Sequence, residues 1–324
     1  MRLTSVVVIT VLFCSAATAV LDARAAQYPD RSIKVIVPTT AGSLPDVLAR
    51  LVGEPLALSV GQPIVIENRA GGGGTIGLTA VAKAPADGYT LGIITGAYVA
   101  AAKLIDRLPY DTENDLAPVA LIAWNYGHLF VRSDLPVHSV DELITLAKSK
   151  PRTLRYSSPG NGNPAHLGMK LLEKQTGIEL VHVPYKGGPA ATMALVRGDV
   201  DIQLAGMLTM EPHIKSGTVR PLATMAPQRL PAMPDLPTMI ELGYAKTELT
   251  DWMGVVVPAG TPVAVIERLN KEIAAIVAKP DVQQRLQQFS MDPAVLGPVE
   301  FKKLLQTESR RLSRLIREAN ITAD

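Results

Sequence analysis

Cysteine, aromatic residues and runs of like charge are all scarce in this chain of 324 residues. There is 1 Cys, aromatic residues make up 4% of the chain, and 32 Lys and Arg nearly balance 30 Asp and Glu. Binding to nucleic-acid phosphates needs a basic excess, so DNA and RNA are not expected partners. A hydrophobic fraction of 47% excludes intrinsic disorder. A multi-span membrane protein is excluded because only one stretch, near the N-terminus, is long and uncharged.

That stretch has the layout of a secretory signal, with Arg2, an apolar run over residues 6–20 and the small-residue pattern Ala23-Arg24-Ala25. We predict a cleaved signal peptide over residues 1–25. The alternative is an uncleaved anchor, but the apolar run is shorter than the ~20 residues that a membrane span needs. The only cysteine, Cys14, lies within this run, so the mature chain would have no disulfide and no thiolate metal site.

Short β-branched runs alternate with helical periodicity along the rest of the chain, which is typical of an α/β fold with parallel strands. The predicted strands are 33–37, 64–67, 90–95, 119–123, 129–132, 153–157, 180–184 and 200–204. The proline-rich segment 221–237 predicts a surface connection by which the chain returns from one lobe to another. We therefore expect two lobes joined by crossings near 128–133 and between 201 and 224.

The familiar catalytic and cofactor motifs are weak or missing. Gly72, Gly74 and Gly77 fit the G-x-G-x-x-G spacing of a dinucleotide loop, but no acidic residue follows about 20 positions later, and we favour a tight turn that lets a helix pack on the sheet. The five histidines lack the spacing of a zinc site, and no G-x-S-x-G sequence occurs. No metal, cofactor or catalytic residue is predicted, although a triad assembled in space stays open.

Three predicted strands end in small polar residues and run directly into a helix start, at the loops 39–43, 157–163 and 184–189. In open α/β sheets, ligands bind beyond the carboxyl ends of the strands. Each such turn presents backbone N–H groups at the positive end of a helix dipole, which is a receptor for anions. The alternative for any single loop is an ordinary connection, but three in one chain favour an anion site.

Several longer motifs carry a resemblance to a known family. They are GQPIVIENRAGGGGTIG (61–77), APADGYTLG (84–92), LPYDTENDLAPVALIA (108–123), SSPGNGNPAHLG (157–168), VHVPYKGGPAA (181–191), PHIKSGTVRPLATMA (212–226), MPDLPT (233–238) and VPAGTP (257–262). In this order they resemble the periplasmic substrate-binding proteins of tripartite tricarboxylate transporters, the Bug family of solute receptors. The resemblance runs from Tyr28 to the last helix.

The resemblance implies a type II-like periplasmic binding protein with two α/β lobes, a hinge and a ligand cleft between the lobes. Lobe 1 would comprise 26–131 and 221–324, and lobe 2 would comprise 132–220. Carried over by position, the cleft residues are Thr39, Thr40, Ala41, Gly42 and Ser43 in the first loop, Ser157, Ser158, Gly160 and Asn161 in the second, and Tyr185, Lys186 and Gly187 in the third. His166, on the first turn of the helix after the second loop, is expected to orient that loop, the alternative being a packed histidine that does not contact it.

Two departures from the family pattern matter. The first loop lacks the usual Pro-Gly-Gly run, and Ala205-Gly206-Met207 replaces a polar turn. We interpret Tyr98, Trp124 and Met207 as possible linings of a more apolar pocket, the alternative being core packing.

The resemblance implies a monomeric periplasmic receptor that captures a small organic carboxylate and delivers it to an inner-membrane permease, without catalysis. Two alternatives are a periplasmic sensor that docks on a signalling protein and a hydrolase that uses the same cleft.

Overall fold

The computed structural model describes residues 28–105, 107–244 and 250–318, so the predicted signal peptide lies outside the described residues. Two mixed β-sheets flanked by helices make up the fold. The strands are β1 (Ile33–Val37), β2 (Ile64–Asn68), β3 (Thr90–Thr95), β4 (Leu116–Tyr126), β5 (His128–Arg132), β6 (Arg155–Ser158), β7 (Val181–Pro184), β8 (Ile202–Ala205), β9 (Val219–Thr224), β10 (Thr250–Pro258) and β11 (Met291–Leu296). The helices are α1 (Leu44–Val60), α2 (Thr75–Ala82), α3 (Gly96–Ala102), α4 (Val140–Ser149), α5 (Pro164–Thr176), α6 (Gly188–Arg197), α7 (Met207–Lys215), α8 (Val263–Val277), α9 (Pro280–Gln288) and α10 (Pro298–Glu318).

The six-stranded sheet has the order β11-β4-β10-β3-β1-β2, in which β1 pairs in parallel with β2 and β3, and β10 runs antiparallel between β3 and β4. Helices α1 and α8 cover one face. In α8, apolar residues recur every three or four positions and are buried, because that spacing places them on the stripe that faces the sheet. Helices α2, α3 and α10 pack with the apolar cluster on the opposite face.

The five-stranded sheet has the order β7-β6-β8-β5-β9, which repeats the arrangement of the first sheet, with parallel strands β7, β6 and β8 beside an antiparallel strand, β5. Helices α5 and α6 end at Gly177 and Gly198, which adopt the left-handed conformation that stops a helix. No helix in the described part of the chain is both long and apolar enough to cross a membrane.

The predicted lobe boundaries, 131/132 and 220/221, fall inside β5 and β9. Both strands pair wholly within the five-stranded sheet, with His128 opposite Ala205 on one side and opposite Thr224 on the other. The chain therefore passes between the sheets at Gly127 and again between β9 and β10. The sequence did not reveal this, because β5 directly follows β4 and only the pairing partners tell which sheet each strand joins.

Candidate ligand-binding site

The carboxyl ends of parallel strands meet at one edge of each sheet, and the three predicted loops lie at these edges. The first loop follows β1 in the six-stranded sheet, while the second and third follow the neighbouring strands β6 and β7 in the five-stranded sheet. Helices α3 and α5 bring the two edges together, since α3 contacts α5. Leu167 of α5 shares an apolar cluster with Tyr98 of α3 and Trp252 of β10. The site is thus assembled from both sheets.

The first loop is exposed at its tip and anchored at its ends. Thr40, Ala41 and Gly42 are exposed, whereas Thr39 and Ser43 are half-buried and share a hydrogen bond between their hydroxyl groups. Gly42 has a φ of 77°, in the left-handed region that favours glycine. Ser43 precedes α1 without a side-chain capping bond. The tip therefore offers backbone groups rather than a capping hydroxyl.

A buried carboxylate beneath the first loop sets its shape. Asp46 accepts the backbone N–H of Gly42 at 2.9 Å and the side-chain amide of Asn68 at 3.0 Å, and Asn68 also donates to the carbonyl of Thr39 at 3.2 Å. Burial opposes ionisation of Asp46, but hydrogen bonds from Arg50, Gly42 and Asn68 outweigh it and lower the pKa of this carboxyl. Asp46 thus holds the first loop through Gly42 and Asn68, and not through the neighbouring Ser43.

Tyr98 lies under the first loop on α3 and is buried. Burial is the main cause that raises the pKa of its hydroxyl group, and Thr39 of the first loop has a smaller, opposite effect. The ring fills the space beside Gly74, where a Cβ atom would lie 2.4 Å from Cδ1 of Tyr98. Gly74 thus permits close packing on Tyr98. The predicted packing of the following helix on the sheet is seen at Gly77, where a Cβ atom would lie 2.8 Å from Cα of Pro38, and in the contacts of α2 with β1 and β3.

The second loop begins with two fully buried serines that differ in their partners. Ser157 donates its hydroxyl to the carbonyl of Ala191 at 3.1 Å, on helix α6. The Ser158 hydroxyl accepts the N–H of Gly160 at 3.2 Å and lies 2.6 Å from Nε2 of His182. Both hydroxyl groups are therefore used inside the protein. Asn161, at the tip, is half-buried and also has a bonding partner.

Two stacked histidines support the second loop from below. The rings of His166 and His182 lie 3.9 Å apart at 18°, and the ring of Tyr156 lies 4.8 Å from His182 and 6.3 Å from His166. The N–H of Gly162 donates to Nδ1 of His166 at 3.2 Å. Burial, His182 and Lys170 lower the pKa of His166 to about 3, so the ring is neutral at neutral pH and Nδ1 stays an acceptor. His166 thus contacts the loop that it was predicted to orient.

The third loop is joined to the second by backbone hydrogen bonds. Tyr185 donates its N–H to the carbonyl of Ser158 at 2.9 Å, and Gly187 donates to the carbonyl of Pro159 at 3.2 Å. Gly187 precedes α6 with a φ of 99°. Lys186 is exposed and Tyr185 is half-buried. The two loops consequently form one continuous rim.

Met207 and Trp124 pack mainly among apolar side chains. Met207 is 6% exposed and lies in a cluster with Phe130 and Met210. Trp124 is half-buried and packs between two apolar clusters. The side chain of Met207 is thus packed among core residues, which was the alternative to lining an apolar pocket.

Two polar residues that the sequence did not single out lie at the junction of the sheets. Asp251 and Asn125 are opposite each other in β10 and β4. Asp251 accepts the N–H groups of Trp252, Gly96 and Ala97. Those donors at the start of α3 lie far away in sequence, so no local motif could have revealed them.

Each sheet with its helices forms an α/β unit, and the loops at the ends of its parallel strands lie on the side of the junction between the units. This arrangement is typical of a two-lobe solute-binding protein. A model of the tripartite tricarboxylate transporter family receptors matches residues 48–321, and the chain belongs to this family. The resemblance stated from the motifs is confirmed. The family is one of periplasmic solute-binding receptors.

Relatives and solved structures match almost the whole chain. BugT of Bordetella pertussis is 32% identical, with 98% of both chains covered. A UPF0065 protein from the tcbD-tcbE intergenic region of Pseudomonas sp. strain P51 is 36% identical, with 92% of this chain and 89% of that protein covered. The structure of R. palustris Rpa4515 with adipate has a TM-score of 0.86 at 34% identity, covering 92% of this chain and all (100%) of that one. MatC from Rhodopseudomonas palustris with bound malate has a TM-score of 0.79 at 31% identity, covering 89% and 100%. The α/β two-lobe fold is thereby confirmed.

Proposed function

We propose that this protein captures a small organic carboxylate between its two lobes, in the periplasm after removal of residues 1–25, and delivers it to an inner-membrane permease. It acts as a monomer and catalyses no reaction. The observation that supports the proposal is the contact between helices α3 and α5, because α3 carries Tyr98 beside the first loop and α5 begins at the end of the second loop, which is bonded to the third. Family members with bound adipate and malate support a carboxylate as the ligand class.

Backbone groups are the main ligand donors in this proposal. Among the residues of the three loops, Lys186 is the only cation, and it is exposed. The hydroxyl groups of Ser157 and Ser158 are engaged within the protein, which leaves N–H groups at the helix starts to receive a carboxylate. An exposed ion pair contributes less than about 1 kcal/mol. Lys186→Ala should therefore weaken binding by less than about fivefold, similar to the matched surface variant Lys148→Ala.

Closure of the cleft follows from the two crossings. We assign the hinge to Gly127 and to the connection between β9 and β10, so that residues 28–126 with 250–318 form one lobe and 128–224 belong to the other. A ligand that contacts both lobes stabilises the closed form by its differential affinity. Small-angle scattering should show a smaller radius of gyration with ligand than without, and an unchanged radius at saturation would contradict the hinge.

A thermal-shift screen tests the ligand class. A ligand at 100 times its dissociation constant stabilises the folded state by ~2.7 kcal/mol, which corresponds to a rise in melting temperature on the order of 5 °C. Mono- and dicarboxylates should produce the shift, and sugars and divalent cations should not. Shifts with sugars or cations alone would refute the carboxylate proposal. Conversion of a bound carboxylate to a new product, followed by mass spectrometry, would refute the absence of catalysis.

A further inference from the structure

The buried carboxylate of Asp251 lies at the base of the proposed cleft. Residue pairing sets Met253 of β10 opposite Thr95, the last residue of β3, so Asp251 extends past the edge at which β1 and β3 end. Its carboxylate also meets Gly96 at the start of α3, where a Cβ atom would lie 2.7 Å from Oδ1. Asp251 contributes to the raised pKa of Tyr98, the residue beneath the first loop. The carboxylate therefore lies next to the part of the proposed site that the first lobe contributes.

Asn125 connects this carboxylate to the other lobe. Asn125 is opposite Asp251 in the antiparallel pair of β4 and β10, and directly opposed residues point to the same face of a sheet. The Oδ1 atom of Asn125 lies 3.8 Å from the position of a Cβ atom on Gly206, the residue that precedes α7 in the second lobe. Asp251 and Asn125 thus form the polar floor where the two lobes meet.

This floor has hydrogen-bond-accepting capacity that the protein leaves unused. Within residues 28–105, 107–244 and 250–318, Oδ1 of Asn125 is buried without a hydrogen-bond partner. Asp251 is half-buried as a whole residue although its carboxylate lies below the surface, and no Lys or Arg among those residues forms an ion pair with it. Backbone N–H groups surround one side of the carboxylate. A buried negative charge without a cationic partner is unfavourable, and a second carboxylate placed beside it would repel it.

We propose that Asp251 and Asn125 form an accepting subsite that selects carboxylates bearing a donor group, a hydroxyl or an ammonium, over unsubstituted carboxylates of the same length. The inference rests on the proposed carboxylate receptor function. A donor on the carbon chain pairs with the floor, while the ligand carboxylate binds the backbone N–H groups of the loops. Burial raises the pKa of Asp251 to about 6, so the carboxyl is ionised at pH 7.5 and accepts from such a donor.

Calorimetric titration at pH 7.5 with matched ligands tests the subsite. One series is succinate, malate and aspartate, and the other is adipate, 2-hydroxyadipate and 2-aminoadipate. In whichever series binds, the wild-type protein should favour a donor-bearing member by at least about tenfold over the unsubstituted one, since a site built to accept a hydrogen bond discriminates against ligands that lack the donor. The better of the hydroxyl and ammonium members identifies the donor.

Three variants make the assignment specific. Asp251→Asn should reduce the preference to less than about threefold, because it removes the charge while keeping the shape and one accepting oxygen. Asn125→Ala should reduce the preference in part and leaves Asp251 in place. Asp199→Asn removes one exposed carboxylate on the other lobe and should leave the preference unchanged. Melting temperatures of all three report whether each variant is folded.

The outcomes separate this inference from the proposed function. If carboxylates bind the wild-type protein with no preference for a donor, the subsite is refuted and the receptor function stands. An unchanged preference in folded Asp251→Asn likewise refutes the subsite. If no carboxylate of either series or of the wider screen binds, both the receptor function and the subsite are refuted.

Discussion

Replacement of Ser158 by Ala tests how the second loop is held. The hydroxyl of this fully buried residue accepts the N–H of Gly160 and shares a hydrogen bond of 2.6 Å with Nε2 of His182. His182 also contacts the rings of Tyr156 and His166, at centroid distances of 4.8 Å and 3.9 Å. The variant would therefore remove one hydrogen bond from each of two groups at the base of the loop.

The magnitude follows from the number of hydrogen bonds that the substitution removes. Each intramolecular hydrogen bond contributes roughly 0.5 to 1.5 kcal/mol net. Ser158→Ala takes one hydrogen bond each from Gly160 and His182, which are half-buried, so we expect the free energy of unfolding to fall by about 1 to 3 kcal/mol. Binding should weaken by about tenfold or more as well, because a loop that is no longer preorganised must be ordered by the ligand.

The neighbouring serine is the matched control. Ser157 is equally buried, but its hydroxyl bonds only to the carbonyl of Ala191 on helix α6. Ser157→Ala should lower the free energy of unfolding by about 1 kcal/mol and change binding by less than about twofold. Urea denaturation gives the stability, and titration with the carboxylate of largest thermal shift gives the affinity. Unchanged binding in Ser158→Ala, or equal weakening in both variants, would refute the positioning of the loop by Ser158 and His182.

Buried titratable groups and a close glycine contact give three further expected outcomes. Burial raises the pKa of Asp251 from 3.8 to about 6, so the folded state loses stability relative to the unfolded state as pH rises from about 4 to above 6. Asp251→Asn has no titrating group at this position and should remove this part of the pH dependence in urea denaturation from pH 4 to 7.5. An unchanged pH dependence would contradict the shift. Burial lowers the pKa of His128 from 6.5 to about 4, so the folded state loses stability as pH falls from 6.5 to 4. In urea denaturation from pH 7 to 4, the free energy of unfolding should fall less steeply for His128→Leu than for the wild-type protein. An equally steep fall would contradict the lowered pKa. Gly74 has a φ of 95° and lies against the ring of Tyr98, whereas Gly217 has a φ of 72° and open space around it. Gly74→Ala should therefore lower the melting temperature more than Gly217→Ala. Equal losses would show that the contact with Tyr98 is unimportant.

The family motifs and the local periodicities of the sequence identified the fold class and the loops that follow β1, β6 and β7. Strand propensity, helix periodicity and glycine stops depend on neighbours within a few residues, so they can be read along the chain. The stop signals at Gly177 and Gly198 are examples, since a left-handed residue ends a helix whatever it packs against. The glycine-rich segment 71–74 was likewise interpreted as a packing turn from its local pattern.

Only the tertiary structure decided which groups face one another. The sheet membership of β5 and β9 depends on pairing partners up to about a hundred positions away. Tertiary packing also decided that Ser158 bonds to His182 and that Asp251 accepts the N–H groups at the start of α3. It likewise decided that Asp46 bonds to Gly42 and not to Ser43. Such contacts depend on how the sheets and helices pack in three dimensions. The sequence by itself determined the elements and the loops, whereas packing decided which polar groups are satisfied inside the protein and which remain for a ligand.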